Sequence, residues 1–119
     1  MTSKQLKKLC DELGIMLFDK ESDTGKGLTE IQGFNEFIKK HKGVAIRTSD
    51  LRLALYDPNL TGVEKVHVIA HEIGHHVLGH LEGNDSGLVR SEAAELQADI
   101  FASVFLAMAV FTKGGGIDA

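Results

Sequence analysis

Two histidines four residues apart, with a glutamate directly after the first, set the tightest constraint on this chain: His71-Glu72-Ile73-Gly74-His75. On a helix, residues i and i+4 lie one turn apart on the same face. Both imidazoles can then grip one metal ion, for which Zn²⁺ is the usual occupant. Glu72, set beside that pair, can reach a water and take its proton. One helix is not enough for such a site. A catalytic zinc takes three protein ligands and keeps a fourth position open, so the fold must bring a second element against the first.

Thr61-Gly62-Val63-Glu64 has the S/T-x-x-E form of a capping box, which predicts a helix start. The helix should run from about Gly62 to Val77 or Leu78, with Gly79 as its stop. Val66, Ile69, Ala70, Ile73 and Val77 form the expected buried stripe. For the third ligand, the pattern H-E-x-x-H-x-x-G-x-x-H would need glycine at 78 and histidine at 81, where the chain has Leu78 and Leu81. No histidine follows His80. An acid remains: Glu82, Asp85, Glu92, Glu95 or Asp99. Geometry favours Glu95, on a helix expected from Val89 or Arg90 to Val110, where a rigid backbone can hold it. Asp99, one turn on, could accept the N–H of a zinc-bound histidine. Glu92 shares much of that face and is the reserve. The apolar second half of this helix is expected to sit centrally in the core.

The chain before residue 61 supplies a scaffold. Residues 3–13 read as an amphipathic helix capped by Thr2 or Ser3 and stopped by Gly14, with Cys10 on the stripe of Leu6, Leu9 and Leu13. Residues 15–18 are an apolar run of strand length. Residues 20–26 read as a loop, residues 28–31 as a short strand, and residues 35–41 as a short helix or a strand and turn. Residues 44–48 and 51–56 are the best strand candidates and pair as a hairpin around Thr48-Ser49-Asp50. The fold class expected is α+β: one domain over residues 1–119, with a small, twisted, mainly antiparallel sheet packed on two long helices in a zincin-like arrangement. The glycines at 114–116 predict a flexible tail over 113–119.

Composition removes other classes. Thirteen basic against seventeen acidic residues give a net charge of −4, which argues against a phosphate-binding surface and direct contact with nucleic acid. The short run Lys39-Lys40-His41-Lys42 reads as a solvated helix end. A single cysteine allows no intrachain disulfide, so nothing points to an oxidising compartment. No signal peptide is visible at the N-terminus. The apolar run 100–111 is shorter than the roughly 20 residues a bilayer requires. A cytoplasmic protein without a membrane span is expected.

The stretch His71-Glu72-Ile73-Gly74-His75-His76-Val77-Leu78-Gly79-His80 resembles the H-E-x-G-H-x-x-L-x-H signature of the ImmA/IrrE family of metallopeptidases. Glu95-Leu96-Gln97-Ala98-Asp99-Ile100-Phe101-Ala102 is similar to that family's second motif, E-x-x-A-N/D-x-F-A. The resemblance implies His71, His75 and Glu95 as zinc ligands and Glu72 as the catalytic base. Members are cytoplasmic, and some are encoded on mobile elements and cleave or inactivate a partner repressor. Two features depart from the pattern. No Leu-Met-Pro segment follows Phe105-Leu106-Ala107-Met108, and the N-terminal helix-turn-helix module of some relatives is missing. Both bear on substrate recognition more than on zinc.

These readings converge on zinc-dependent hydrolysis of a peptide bond in a protein partner. An extended substrate is expected to add to a sheet edge formed by residues 51–56. His80 and Tyr56 are candidates to help a substrate oxyanion. Their plain alternatives are a capping role and packing. His67 could line the cleft, and His76 points away from the metal face. The rival class is a non-catalytic, zinc-stabilised interaction module, in which Glu72 is dispensable and His67 or a partner residue closes the fourth position. A zinc hydrolase acting on a non-peptide bond is the third.

Overall fold

The computed structural model describes residues 3–30, 40–48, 50–81 and 91–111. Helix α1 spans Ser3–Glu12. It buries Leu6 and Cys10, which are spaced one turn apart, while Lys7 and Asp11 pair at 3.2 Å on its wet side. Gly14, at φ +72°, turns the chain out of the helix into strand β1, Ile15–Asp19.

The expected loop after β1 is instead a helix, α2, Asp23–Thr29. Asp19 Oδ1 accepts from the backbone N–H groups of Glu21 and Ser22. The Ser22 hydroxyl caps the helix by accepting from Gly25 N at 3.0 Å. Gly25 packs so closely on the Asp19 carbonyl that a Cβ would collide with it. A composition rich in Gly, Ser and Asp therefore marks a tightly capped helix here. Leu28 and Thr29 belong to that helix, so no strand begins at 28. Residues 31–39 lie outside the described residues, and of the helix considered over 35–41 only Lys40 and His41 are described, both helical.

Strands β2, Gly43–Arg47, and β3, Arg52–Tyr56, form the expected antiparallel hairpin. Thr48 N–H donates to Leu51 O at 2.9 Å, and its hydroxyl accepts from Leu51 N. The sheet order is β1-β3-β2, with β1 parallel to β3. The sheet is thus mixed, and β3 is its centre. This corrects the edge expected at 51–56: β3 is paired on both sides, and Leu53, Ala54 and Leu55 are all buried. Leu51, expected on the same inward face, is exposed just before the strand.

Each face of the sheet carries a core. On one, Cys10, Leu6, Ile15, Ala54, Ile69 and Ile73 pack together with Phe101 and Phe105 against them. On the other, Val44, Ile46, Leu53 and Leu55 pack with Phe18 and Leu28. Each large apolar side chain so buried contributes about 1.5–3 kcal/mol.

Helix α3 spans Gly62–Val77 and packs on β2, β3 and α4, the helix Glu92–Phe111. The predicted capping box does not form: Thr61 makes no side-chain cap bond. Gly62 enters the helix at φ +58°, and Glu64 pairs with Lys42 at 3.0 Å instead. The buried stripe continues through His76 rather than Val77. The His76 ring is buried and its Nε2–H donates to Leu53 O at 2.8 Å, a strand carbonyl that satisfies a polar group in an apolar position. Val77 is exposed.

Ser91 starts α4 by accepting from Ala94 N at 3.1 Å. The expectation that its second half is central to the core is not met. Ala98 and Ala102 are fully buried, but Leu96, Ile100 and Val104 are 61%, 55% and 54% exposed. From Ile100 onward the helix is almost wholly apolar, and among the described residues only one side is packed. No helix among the described residues is long and apolar enough to cross a membrane. The tail expected over 113–119 lies outside the described residues.

Candidate metal centre

His71 and His75 project from α3 toward α4, as their spacing requires. Gly74, between them, lets the helices close up: a Cβ there would stand 3.0 Å from the Phe101 ring. Glu95 reaches across from α4. Its Oε2 lies 2.9 Å from His71 Nε2 and its Oε1 lies 3.2 Å from His75 Nε2, while the two Nε2 atoms are 3.1 Å apart. In a tetrahedral zinc site with bonds of ~2.0–2.1 Å, neighbouring ligand atoms are separated by ~3.3 Å. The triangle of donors is of that size.

The outer ring nitrogens show why a cation suits it. His71 Nδ1 is 2.7 Å from Asp99 Oδ1, an arrangement in which the nitrogen carries the proton and the carboxylate accepts it. His75 Nδ1 is 2.9 Å from His80 Nδ1. With each proton on Nδ1, both Nε2 atoms present bare lone pairs to one another and to a carboxylate. Three electron-pair donors converging in this way attract a cation placed among them. The donor set, two imidazoles and a carboxylate, is one that divalent zinc accepts.

Glu72 is 5% exposed, and its carboxylate shares a cluster with His71 and His75 whose possible ligand atoms lie within 4.8 Å of one another. It too could reach a metal. Glu95, with its oxygens 2.9 and 3.2 Å from the two Nε2 atoms, completes a triangle without it. The roof over Glu72 is Gly43, at the start of β2. A Cβ on Gly43 would meet Val68 Cγ1 at 2.8 Å and Glu72 Oε2 at 3.0 Å. The backbone at the start of β2 thus runs directly over the buried carboxylate.

These groups open into a cleft of about 310 Å³. Lys40, His41 and His67 also line it, so acids from α4 face basic side chains across the opening. His67 was legible as a cleft residue. Gly43, Lys40 and His41 had read only as the end of a helix.

Two candidates stand elsewhere. Tyr56 lines a different pocket, with Leu6, Asp19 and Lys65, and Lys65 Nζ sits 5.7 Å from its ring centre. Burial, with a smaller push from Asp19, raises its phenol pKa above the usual value. It is not in the metal cleft. His80 does not line the cleft either. Its Nε2 lies 2.8 Å from Gln97 Oε1, so both ring nitrogens are engaged behind His75. Gln97 escaped notice in the sequence, where nothing distinguishes it from other exposed helix residues. Glu92 is exposed at the first turn of α4 and takes no part in the triangle. Glu82 and Asp85 lie outside the described residues.

No curated protein and no solved structure matches the chain. The family model of the IrrE N-terminal-like domain, a peptidase family, matches residues 10–108, a span that includes the hairpin, α3 and most of α4. On that match the chain belongs to the IrrE N-terminal-like family.

Proposed function

We propose that this protein is a zinc-dependent metallopeptidase that hydrolyses a peptide bond in a protein partner, with a regulatory repressor as the partner class the family resemblance implies, and that it works in the cytoplasm. His71, His75 and Glu95 hold the metal, Asp99 orients His71, and Glu72 is the general base. The triangle of His71 Nε2, His75 Nε2 and the Glu95 carboxylate, beside the buried Glu72, supports this reading most directly. Zinc bound there polarises a carbonyl and lowers the pKa of water. Glu72 takes a proton from the attacking water and passes it to the leaving amine. Its burial under Gly43 keeps bulk water from competing for the carboxylate, and its place on α3 fixes its distance from both imidazoles.

Strand β2 begins over Glu72 and Gly43 lines the cleft, so a peptide bound there would pass beside Gly43. The edge expected at 51–56 is interior. Lys40, His41 and His67 are the donors positioned to meet a developing negative charge on the substrate.

The first test is the metal content of purified protein beside a Glu95→Ala variant. One zinc per chain, lost or strongly weakened in the variant, supports the ligand set. Equal zinc in both overturns it.

A further inference from the structure

His80 follows the stop of the metal-binding helix, and the way the helix stops decides where its ring goes. Gly79, at φ +77°, turns the chain back over the last turn. Its N–H donates to His76 O at 3.3 Å, and the His80 N–H donates to His75 O at 3.1 Å. These are the two bonds of a Schellman motif. In that motif the residue after the left-handed glycine is folded against the residue five positions earlier, usually with an apolar contact between them. Here the pair is His80 and His75. Their rings meet edge to face with centroids 5.1 Å apart, and the contact is a hydrogen bond between the two Nδ1 atoms at 2.9 Å.

With a metal at His75 Nε2 and neutral rings, one arrangement of protons fits the His75–His80–Gln97 contacts. A metal at His75 Nε2 requires that nitrogen to be bare, which puts the ring's proton on Nδ1. His75 Nδ1–H then donates to His80 Nδ1. His80, accepting there, carries its own proton on Nε2. That proton is donated to Gln97 Oε1, 2.8 Å away. The opposite arrangement, with the Gln97 amide donating, would put a proton on His75 Nε2, inside the triangle of metal donors. In water, a free neutral imidazole favours the proton on Nε2, so His75 has to be held in its less favoured form.

We infer that His80 and Gln97 are positioning residues: held by the turn at Gly79, His80 accepts the His75 Nδ1 proton, Gln97 fixes the His80 tautomer, and together they keep His75 Nε2 bare and aimed at the metal. Asp99 does the corresponding service for His71, but with a charged acceptor. Helix α4 therefore acts on the site at three residues in alternate positions. Glu95 closes the triangle, Asp99 holds one imidazole and Gln97 holds the other through His80. Glu95 and Gln97 lie on opposite flanks of Ala98, which is fully buried. This assignment takes His80 away from the substrate oxyanion.

The inference rests on the ligand set proposed above, but it can be read without metal. Long-range ¹H–¹⁵N NMR on the metal-free protein, with the rings neutral, reports which nitrogen of each histidine carries the proton. The expected pattern is Nδ1–H for His75 and Nε2–H for His80. In His80→Ala, His75 should revert toward Nε2–H, and zinc affinity, measured by competition with a chelator, should fall by about 10- to 100-fold. Gln97 is exposed, so Gln97→Leu leaves the turn intact and answers the question even if His80→Ala folds poorly. It should mix the His80 tautomers and weaken zinc several-fold, while Gln97→Glu, which keeps an acceptor oxygen, should preserve both. Nε2–H on His75 in the unaltered protein overturns the inference. So do unchanged tautomers and unchanged zinc affinity in Gln97→Leu. If Glu95 proves not to be a ligand, the tautomer pattern stands regardless, and the two failures can be told apart.

Discussion

His71 Nδ1 donates to Asp99 Oδ1 across 2.7 Å, from the metal-binding helix to its neighbour. The bond fixes both the tautomer and the ring plane of His71, because an imidazole that gives its Nδ1 proton to a carboxylate presents a bare, more basic Nε2 on its far side. Asp99 is more than half exposed, so replacing it should leave the fold intact. Asp99→Ala is expected to weaken zinc by about 10- to 100-fold, read by titration against a chromophoric chelator. Wild-type affinity in that variant would make the bond incidental to the site.

Glu72 separates a catalyst from a metal-stabilised binding module. Glu72→Gln keeps the shape of the side chain and removes its capacity to take a proton. Zinc content should remain at the unaltered level. Cleavage of a fluorogenic peptide library should slow by about 10²-fold or more, the ordinary contribution of a general base. Full cleavage with full zinc would eliminate Glu72 as the base.

Gly43 tests the contact between strand and carboxylate. Gly43→Ala places a methyl group against Val68 and Glu72, and overpacking of this kind costs about 1–3 kcal/mol. The ligands lie on α3 and α4, so metal should be retained while cleavage falls. Thermal unfolding, zinc content and peptide turnover together check this. Unchanged stability and turnover would show that β2 does not bear on Glu72.

Cys10 predicts an alkaline limit to stability. Burial raises its thiol pKa from 9.0 to about 11, with Lys7 opposing and Asp11 assisting more weakly. Between these values the unfolded chain releases the proton and the folded chain holds it, so stability is full below about pH 9 and declines as pH rises toward 11. The loss is on the order of 2–3 kcal/mol at 1.36 kcal/mol per pKa unit. Urea unfolding at pH 8 and pH 10.5 should show the decline, and Cys10→Ala should show less of it. An equal decline in the variant would assign it to other groups, Tyr56 first.

Much of this protein could be read locally. An H-E-x-x-H spacing, a strong helix period from 62 to 77 and a glycine stop at 79 are short-range signals. The helix they predict has those bounds. The same holds for α1, for β1 and for the hairpin, where alternation and a turn act over a few residues. Glu95 and Asp99 were singled out because a metal needs a third ligand and a ligand imidazole needs an acceptor for its outer N–H. Those are chemical demands that hold wherever the helix packs.

What the tertiary structure decided was everything that depends on neighbours distant in sequence. The pairing of β3 with β1 on one side and β2 on the other made residues 52–56 interior, which local alternation cannot reveal because it is silent about strand order. Helix α2 is an exception, since its contacts are local: Asp19 turns the chain and Ser22 caps Gly25. The apolar face of α4 was misjudged because hydrophobicity predicts a wish for burial, while burial itself requires a neighbour. Tyr56 and His80 were assigned to a cleft they do not line. Packing sends Tyr56 to another pocket, and the turn at Gly79 folds His80 behind His75. The chain's sequence by itself determined which side chains could hold a metal and take a proton. Only the packing of α3 on α4 decided which donors converge, since a site of three ligands is defined by distances between helices that no spacing along one helix contains.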